Sequence, residues 1–272
     1  MNAPMVVELR GVTLRVSNRV LVDALSLTLR VGERWAVLGP NGAGKSTLLG
    51  AIAGARPLDA GEVVFGDRSV LRLRADELAR CRALLTDRWL DPFSSTALDT
   101  VLTARYVFRD EDAAAPIARD WLGRLDCAAL ADRDVRRLSR GERQRVAIAT
   151  TLAQDTPLVL LDEPTAHQDP RHQAHVIREL CALGNRTLVA SLHDLNAAAR
   201  FATHALLLWG DGRTLAGPAQ QVLTAAALSE LFATPISRAR FGDEEFFHVH
   251  GGDPVRAPVP EEGGRPEDQQ RF

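Results

Sequence analysis

Cysteine is scarce, and its spacing excludes more than its number does. Cys81, Cys127 and Cys181 stand far apart and form no pair at metal-ligand spacing, which points to a reduced, cytoplasmic chain. No apolar run approaches the length of a membrane span, and the start, MNAPMVVELRG, lacks a signal-peptide core. A basic excess is also missing. The 33 Lys and Arg against 35 Asp and Glu leave a net charge of −2, which argues against a dedicated nucleic-acid binder. No repeat with a solenoid-like period is present. What remains is 272 residues, 46% apolar and 25% charged, the make-up of a soluble protein with one large α/β domain or two smaller ones.

The N-terminal segments VVELRGVTLRV and LVDALSLTLRVGERWAVLG alternate apolar and polar residues, as half-buried strands do. The second closes in the apolar run Trp35 to Leu38, which reads as a buried strand. LVLLDE (Leu158 to Glu163) and TLVASLH (Thr187 to His193) read as two more. Helical stretches, GKSTLLGAIAG and DLNAAARFATHA, follow the first and third of these. Alternating strands and helices predict a mostly parallel sheet covered by helices, an α/β fold. From about Arg72 to Leu138 the sequence turns helical, alanine-rich and charged, and reads as a helical subdomain inserted in that core. The core and insert make a single domain over 1–250. From Gly251 to Phe272, Gly, Pro and Glu dominate and little can be buried, so a disordered tail is expected.

GPNGAGKST, from Gly39 to Thr47, carries the clearest chemistry. It matches G-x-x-x-x-G-K-[ST] between a buried strand and a helix, where a phosphate-binding loop belongs. Glycines let backbone N–H groups close around phosphate oxygens, and the helix N-terminus adds its positive dipole end. Gly39, Pro40, Asn41, Gly42, Ala43, Gly44, Lys45, Ser46 and Thr47 are the candidate nucleotide-binding residues. Lys45 would reach the β- and γ-phosphates and the Ser46 hydroxyl would ligate Mg²⁺. Asp162, ending LVLLD, would place a carboxylate near the same ion, and Glu163 would polarise the attacking water.

Two features admit a plainer account. Ser139 and Glu142 in RLSRGERQR satisfy the capping-box spacing, which alone explains both residues, while a surface built to meet a phosphate is the other reading. His193 ends an apolar strand, where a lone histidine is more often structural. A neutral imidazole there could instead bond a γ-phosphate.

Taken in order, the phosphate loop, LSRGERQR, LVLLDEPT and SLHDLNAAARFATHALLLWGDGRTLAGP resemble the ATP-binding cassette (ABC) ATPase subunits of transporters, over roughly residues 6–235. HDLNAAAR and GPAQQVLTAAALSELF carry a finer similarity to importer subunits for vitamin B12, ferric siderophores or haem. The resemblance implies a P-loop NTPase of ABC ATPase fold: a RecA-like core with an N-terminal antiparallel β segment and an inserted helical subdomain. It implies a head-to-tail dimer using ATP and Mg²⁺, in which Ser139, Gly141 and Glu142 of one copy face the ATP of the other. Asp169 then lies in the loop that contacts the partner copy, and His193 senses the γ-phosphate. Further implied partners are two transmembrane permease subunits and, indirectly, an extracytoplasmic substrate-binding protein. No nucleic acid is expected. The subunit would sit on the cytoplasmic face of the inner membrane. A soluble ABC ATPase of DNA repair or translation, or a weakly hydrolysing regulatory subunit, is the alternative.

Four positions depart from that pattern. Family members have a glutamine near Mg²⁺ between core and helical subdomain, yet no glutamine precedes Gln144, and Asp87 stands at the matching place as an expected metal ligand. The aromatic residue that stacks on the base is absent, since Gly11 to Val31 holds no Phe, Tyr or Trp. Arg15 and Val16 take its place, and Arg15 could stack through its guanidinium plane. Arg140 replaces the first glycine of the signature, and Gln168 stands where leucine is usual. Trp89 and Phe93 fall in the loop expected to meet the membrane partner or, equally, to pack locally.

Overall fold

The computed structural model describes residues 6–86, 94–241 and 244–250. The stretch holding Asp87, Trp89 and Phe93, and the tail from Gly251, lie outside them. Strand β1 (Val7–Val16) folds back on β2 (Arg19–Leu29) as an antiparallel hairpin. An alternation interrupted by register shifts buries Val7, Leu9, Val12 and Leu14 of the first strand and Val22, Leu25 and Leu29 of the second. The chain then crosses to a second sheet as β3 (Arg34–Leu38), followed by α1 (Lys45–Ile52), and returns as β4 (Ala60–Phe65) along the other side of β1. The short β5 (Arg68–Ser69) completes this antiparallel unit. The β1–β4 register slips between Arg10 and Thr13. There Gly61, at φ +81°, presses so close that a Cβ would lie 2.3 Å from the Gly11 carbonyl oxygen.

The remaining elements build the parallel sheet and its cover. In order they are α2 (Ala75–Cys81), β6 (Arg82–Leu85), α3 (Ala97–Leu102), α4 (Glu111–Arg124), α5 (Arg140–Ala153), β7 (Leu158–Asp162), α6 (Pro170–Cys181) and β8 (Thr187–Ser191). Then come α7 (Leu195–Phe201), β9 (His204–Leu208), β10 (Thr214–Pro218), α8 (Ala219–Val222) and α9 (Ala225–Phe232). A hairpin of β11 (Ile236–Phe241) and β12 (Glu244–Val249) ends the described chain. The sheet order is β10-β9-β3-β8-β7-β6, with only β10 antiparallel to its neighbour. β6 is a strand that the helical character of its surroundings concealed, because RALL is too short for periodicity to separate strand from helix.

Strands β7 and β8 are buried at every position, as parallel strands covered on both faces must be. Their alternate residues feed two cores. Leu158, Leu160 and Val189 join α1 and the antiparallel unit, whereas Val159, Leu161, Leu188 and Ala190 join the helices on the far face, α5 among them. The sheet is thereby held from both sides, and the carboxyl ends of β3, β8 and β7 emerge side by side. Among the described residues no helix is long and apolar enough to cross a membrane.

Candidate nucleotide site

Three adjacent strand ends deliver the chemistry. After β3 the loop Gly39–Gly44 turns sharply into α1, with Gly44 at φ +103° as its N-cap, a conformation open to glycine at little cost. Lys45 is the first helical residue and only 6% exposed. Its Nζ donates to the carbonyl oxygens of Gly39 (2.8 Å) and Pro40 (3.3 Å), so the loop wraps its own ammonium group. Burial pushes the Lys45 pKa down, and the carboxylates of Glu163 and Asp162 pull it back up. A cation held in this way gains strongly from an incoming phosphate.

The neighbouring ends supply the acids. Asp162, 4% exposed, pairs in register with Ser191, whose Oγ donates to Asp162 Oδ1 at 2.7 Å. The same Ser191 Oγ accepts from the Glu163 N–H at 2.9 Å, so one hydroxyl aligns both acidic residues. His193 lies two residues past the end of β8, and its Nε2 is 2.5 Å from Glu163 Oε1. The sequence-predicted phosphate loop, Asp162, Glu163 and His193 therefore converge. Between the loop and Glu163 opens a pocket of about 390 Å³, whose walls include Asn41, Gly42, Ser46 and Thr47.

Three further members of this arrangement are not signalled by any sequence motif. Ser191 gave no signal beyond being a polar residue at the end of an apolar strand. Arg19 and Arg56 both line the pocket, and Arg56 Nη1 donates to Thr47 Oγ1 at 3.1 Å. On the hairpin, Val16 lines the pocket and Arg15 does not. Successive side chains of a strand point to opposite faces, so only one of the two can face the nucleotide. Of the two, Val16 is the residue that stands beside the phosphate loop.

The second phosphate-facing candidate stands apart from the pocket. Ser139 caps α5: its Oγ accepts from the Glu142 N–H (3.3 Å), and Glu142 Oε2 accepts from the Ser139 N–H (2.8 Å). That N–H holds the Glu142 carboxyl below the usual range. Ser139, Gly141 and Glu142 present the start of a long, well-anchored helix, but they do not line the pocket around Lys45. Asp169 caps α6, accepting from the His172 N–H at 2.9 Å, and sits at the exposed end of the loop that begins at Glu163.

A phosphate loop after β3, acidic residues ending β7 and a histidine following β8 define the site of a P-loop nucleoside triphosphatase. A family model described as "ABC transporter" matches residues 22–166. The hemin import ATP-binding protein HmuV of Streptomyces coelicolor is 39% identical over 234 residues, spanning 83% of this chain and 82% of that relative. The petrobactin import ATP-binding protein FpuD of Bacillus anthracis is 32% identical over 237 residues, spanning 83% and 85%. Among solved structures, a metal-chelate type ABC transporter in an inward-facing conformation superposes with a TM-score of 0.77 at 27% identity. That match covers 91% of this chain and 97% of the other. The chain belongs to the ABC transporter family, as one of its ATP-hydrolysing subunits, and has the ABC ATPase fold that its motifs imply.

Proposed function

We propose that this subunit binds and hydrolyses ATP to power a membrane importer of a metal chelate, with haem, a ferric siderophore or vitamin B12 as the substrate class. One observation carries the ATPase reading: Lys45, Asp162, Glu163 and His193 meet at three neighbouring strand ends, with Glu163 aligned through Ser191 and His193. The substrate class is supported by the relatives, which are named for import of hemin and petrobactin.

The geometry suggests the order of events. Arriving phosphates compete with the Gly39 and Pro40 carbonyls for the Lys45 ammonium, while loop N–H groups close on the phosphate oxygens. The Ser46 hydroxyl and the buried Asp162 carboxylate would offer hard oxygens to Mg²⁺, with Asp87 the further ligand expected outside the described residues. When bound, the ion neutralises charge on the β- and γ-phosphates. Glu163 then polarises water, and His193 exchanges its bond to Glu163 for one to the γ-phosphate. Two copies would close head to tail, Ser139, Gly141 and Glu142 of each meeting the ATP of the other with Asp169 beside the contact. Opening after hydrolysis would drive two permease subunits at the cytoplasmic face of the inner membrane, fed by an extracytoplasmic binding protein.

The test uses the full chain with its permease in proteoliposomes. Glu163→Gln should keep ATP binding, lower turnover by about 10²–10⁴-fold and abolish chelate uptake. Unchanged turnover in that variant would overturn the catalytic assignment. Parent protein that binds ATP without turning it over would indicate a regulatory subunit. Co-purification with nucleic acid or ribosomes in place of a permease would indicate the soluble class.

A further inference from the structure

The loop from Glu163 to Asp169 contains two non-glycine residues in the left-handed region, Glu163 at φ 50° and His167 at φ 60°. Such conformations persist only where the surrounding structure over-determines them. Both residues touch the first turns of α5. At Glu163 the carbonyl oxygen accepts from Gln144 Nε2 at 3.2 Å, while its N–H is held by Ser191. At His167 the carbonyl oxygen packs on Gly141, where a Cβ would come within 3.0 Å. Gly141 and Gln144 are three residues apart and share one face of the helix. Gln144 is 9% exposed, so its amide is largely withdrawn from water and committed to this bond.

The helix that makes these contacts cannot easily absorb a displacement. Its start is closed by the Ser139–Glu142 box, and its last carbonyl, Ala153 O, accepts from the buried Arg105. Arg145, the residue after Gln144, donates to Leu125 O at 3.1 Å. A shift of the Ser139 end therefore reaches the Glu163 carbonyl, which the Ala166 N–H also holds at 3.1 Å, through the Gln144 amide, with the Gly141–His167 contact beside it.

We infer that Gln144 couples the two nucleotide sites of the dimer, joining the helix start that meets the partner's ATP to the peptide that aims this copy's catalytic carboxylate. The inference rests on the head-to-tail reading above. Gln144 does not line the pocket around Lys45 and its amide is engaged by the Glu163 carbonyl, so it acts as a positioning residue. Rotation of the Glu163 peptide re-aims the carboxylate, and the carboxylate is correctly set only when α5 is seated on the opposite ATP. Hydrolysis at one site then depends on occupancy of the other.

The experiment compares the full-length chain with Gln144→Met, of similar length without a donor, and Gln144→Glu, of similar shape with an acceptor in place of the amide N–H. A fluorescent ATP analogue without Mg²⁺ reads single-site affinity, which should stay within about twofold and reports that each variant is folded. Steady-state hydrolysis against Mg·ATP concentration should show a Hill coefficient falling from near 2 to near 1, the limits for two coupled and two independent sites. The maximal rate should fall about tenfold. A parental Hill coefficient kept by either nucleotide-binding variant, or a non-cooperative parent, would overturn the inference. The dimer reading is tested separately by Glu163→Gln with ATP in light scattering. If that protein stays monomeric the dimer reading fails, whereas a dimer with unchanged cooperativity in the Gln144 variants sinks the coupling alone.

Discussion

At the scale of single residues, backbone contacts limit what the chain tolerates more sharply than chemistry does. Gly61 has a positive φ and sits with no room for a Cβ against the Gly11 and Arg10 carbonyls at the β1–β4 slip. Adding one methyl group brings both left-handed strain and overpacking against backbone that cannot yield. Gly61→Ala should therefore cost at least about 2 kcal/mol, each effect alone being worth roughly 1–3. Urea denaturation would read this, and a midpoint unchanged from the parent would count against it. Glu163 is the contrasting case, since its strained backbone is held by Ser191 at the N–H and by Gln144 and the Ala166 N–H at the carbonyl, while His193 meets its carboxylate. The sequence showed which residue types were present at these positions. It could not show that Glu163 would adopt a left-handed conformation, because neighbours from remote segments impose it.

At the scale of elements, α5 shows what pattern reading can and cannot reach. The capping box of Ser139 and Glu142 was legible from spacing and is formed as expected. The anchoring of its far end by Arg105 was not, because that arginine comes from the turn after α3 and meets α5 only through the fold. Ser139→Ala should remove about 1 kcal/mol of stability, measured by calorimetry. The cap is also sensitive to acid. The folded pKa of Glu142 lies below its ordinary value, so its contribution is complete above the usual glutamate range and is lost as pH falls through the lowered folded value. The melting-temperature gap between the parent and Glu142→Gln should accordingly narrow between about pH 7 and pH 3. A gap that stays constant would mean that the carboxylate does not support the cap. Helix α7 is pinned differently. Asp194 caps it, while the Asn196 amide pairs with both the N–H and the carbonyl of Phe247, as a neighbouring strand would. The strand-like role of that asparagine left no trace in the local sequence.

At the scale of the whole molecule, the parallel order of β3, β8 and β7 turns three distant sequence motifs into one site, and this much was legible. Each motif lies at the carboxyl end of an apolar run, and in a parallel sheet those ends gather on one edge. The hidden strand β6 and the pocket arginines Arg19 and Arg56 were not legible, since their placement depends on which segments become neighbours. Lys45 has a further consequence at this scale. It is the only lysine in the sequence, every other strongly basic side chain being arginine. The chain therefore offers amine-directed reagents a single ε-amino group, and that group lies inside the phosphate loop with its pKa lowered by burial. Trinitrobenzenesulfonate or pyridoxal phosphate followed by borohydride should modify one side chain per molecule, and bound ATP should suppress the reaction. Peptide mass spectrometry would check this directly, with modification insensitive to ATP as the contrary result. Occupancy of the nucleotide site could then be followed as a chemical yield, without a fluorophore, a tag or an engineered residue.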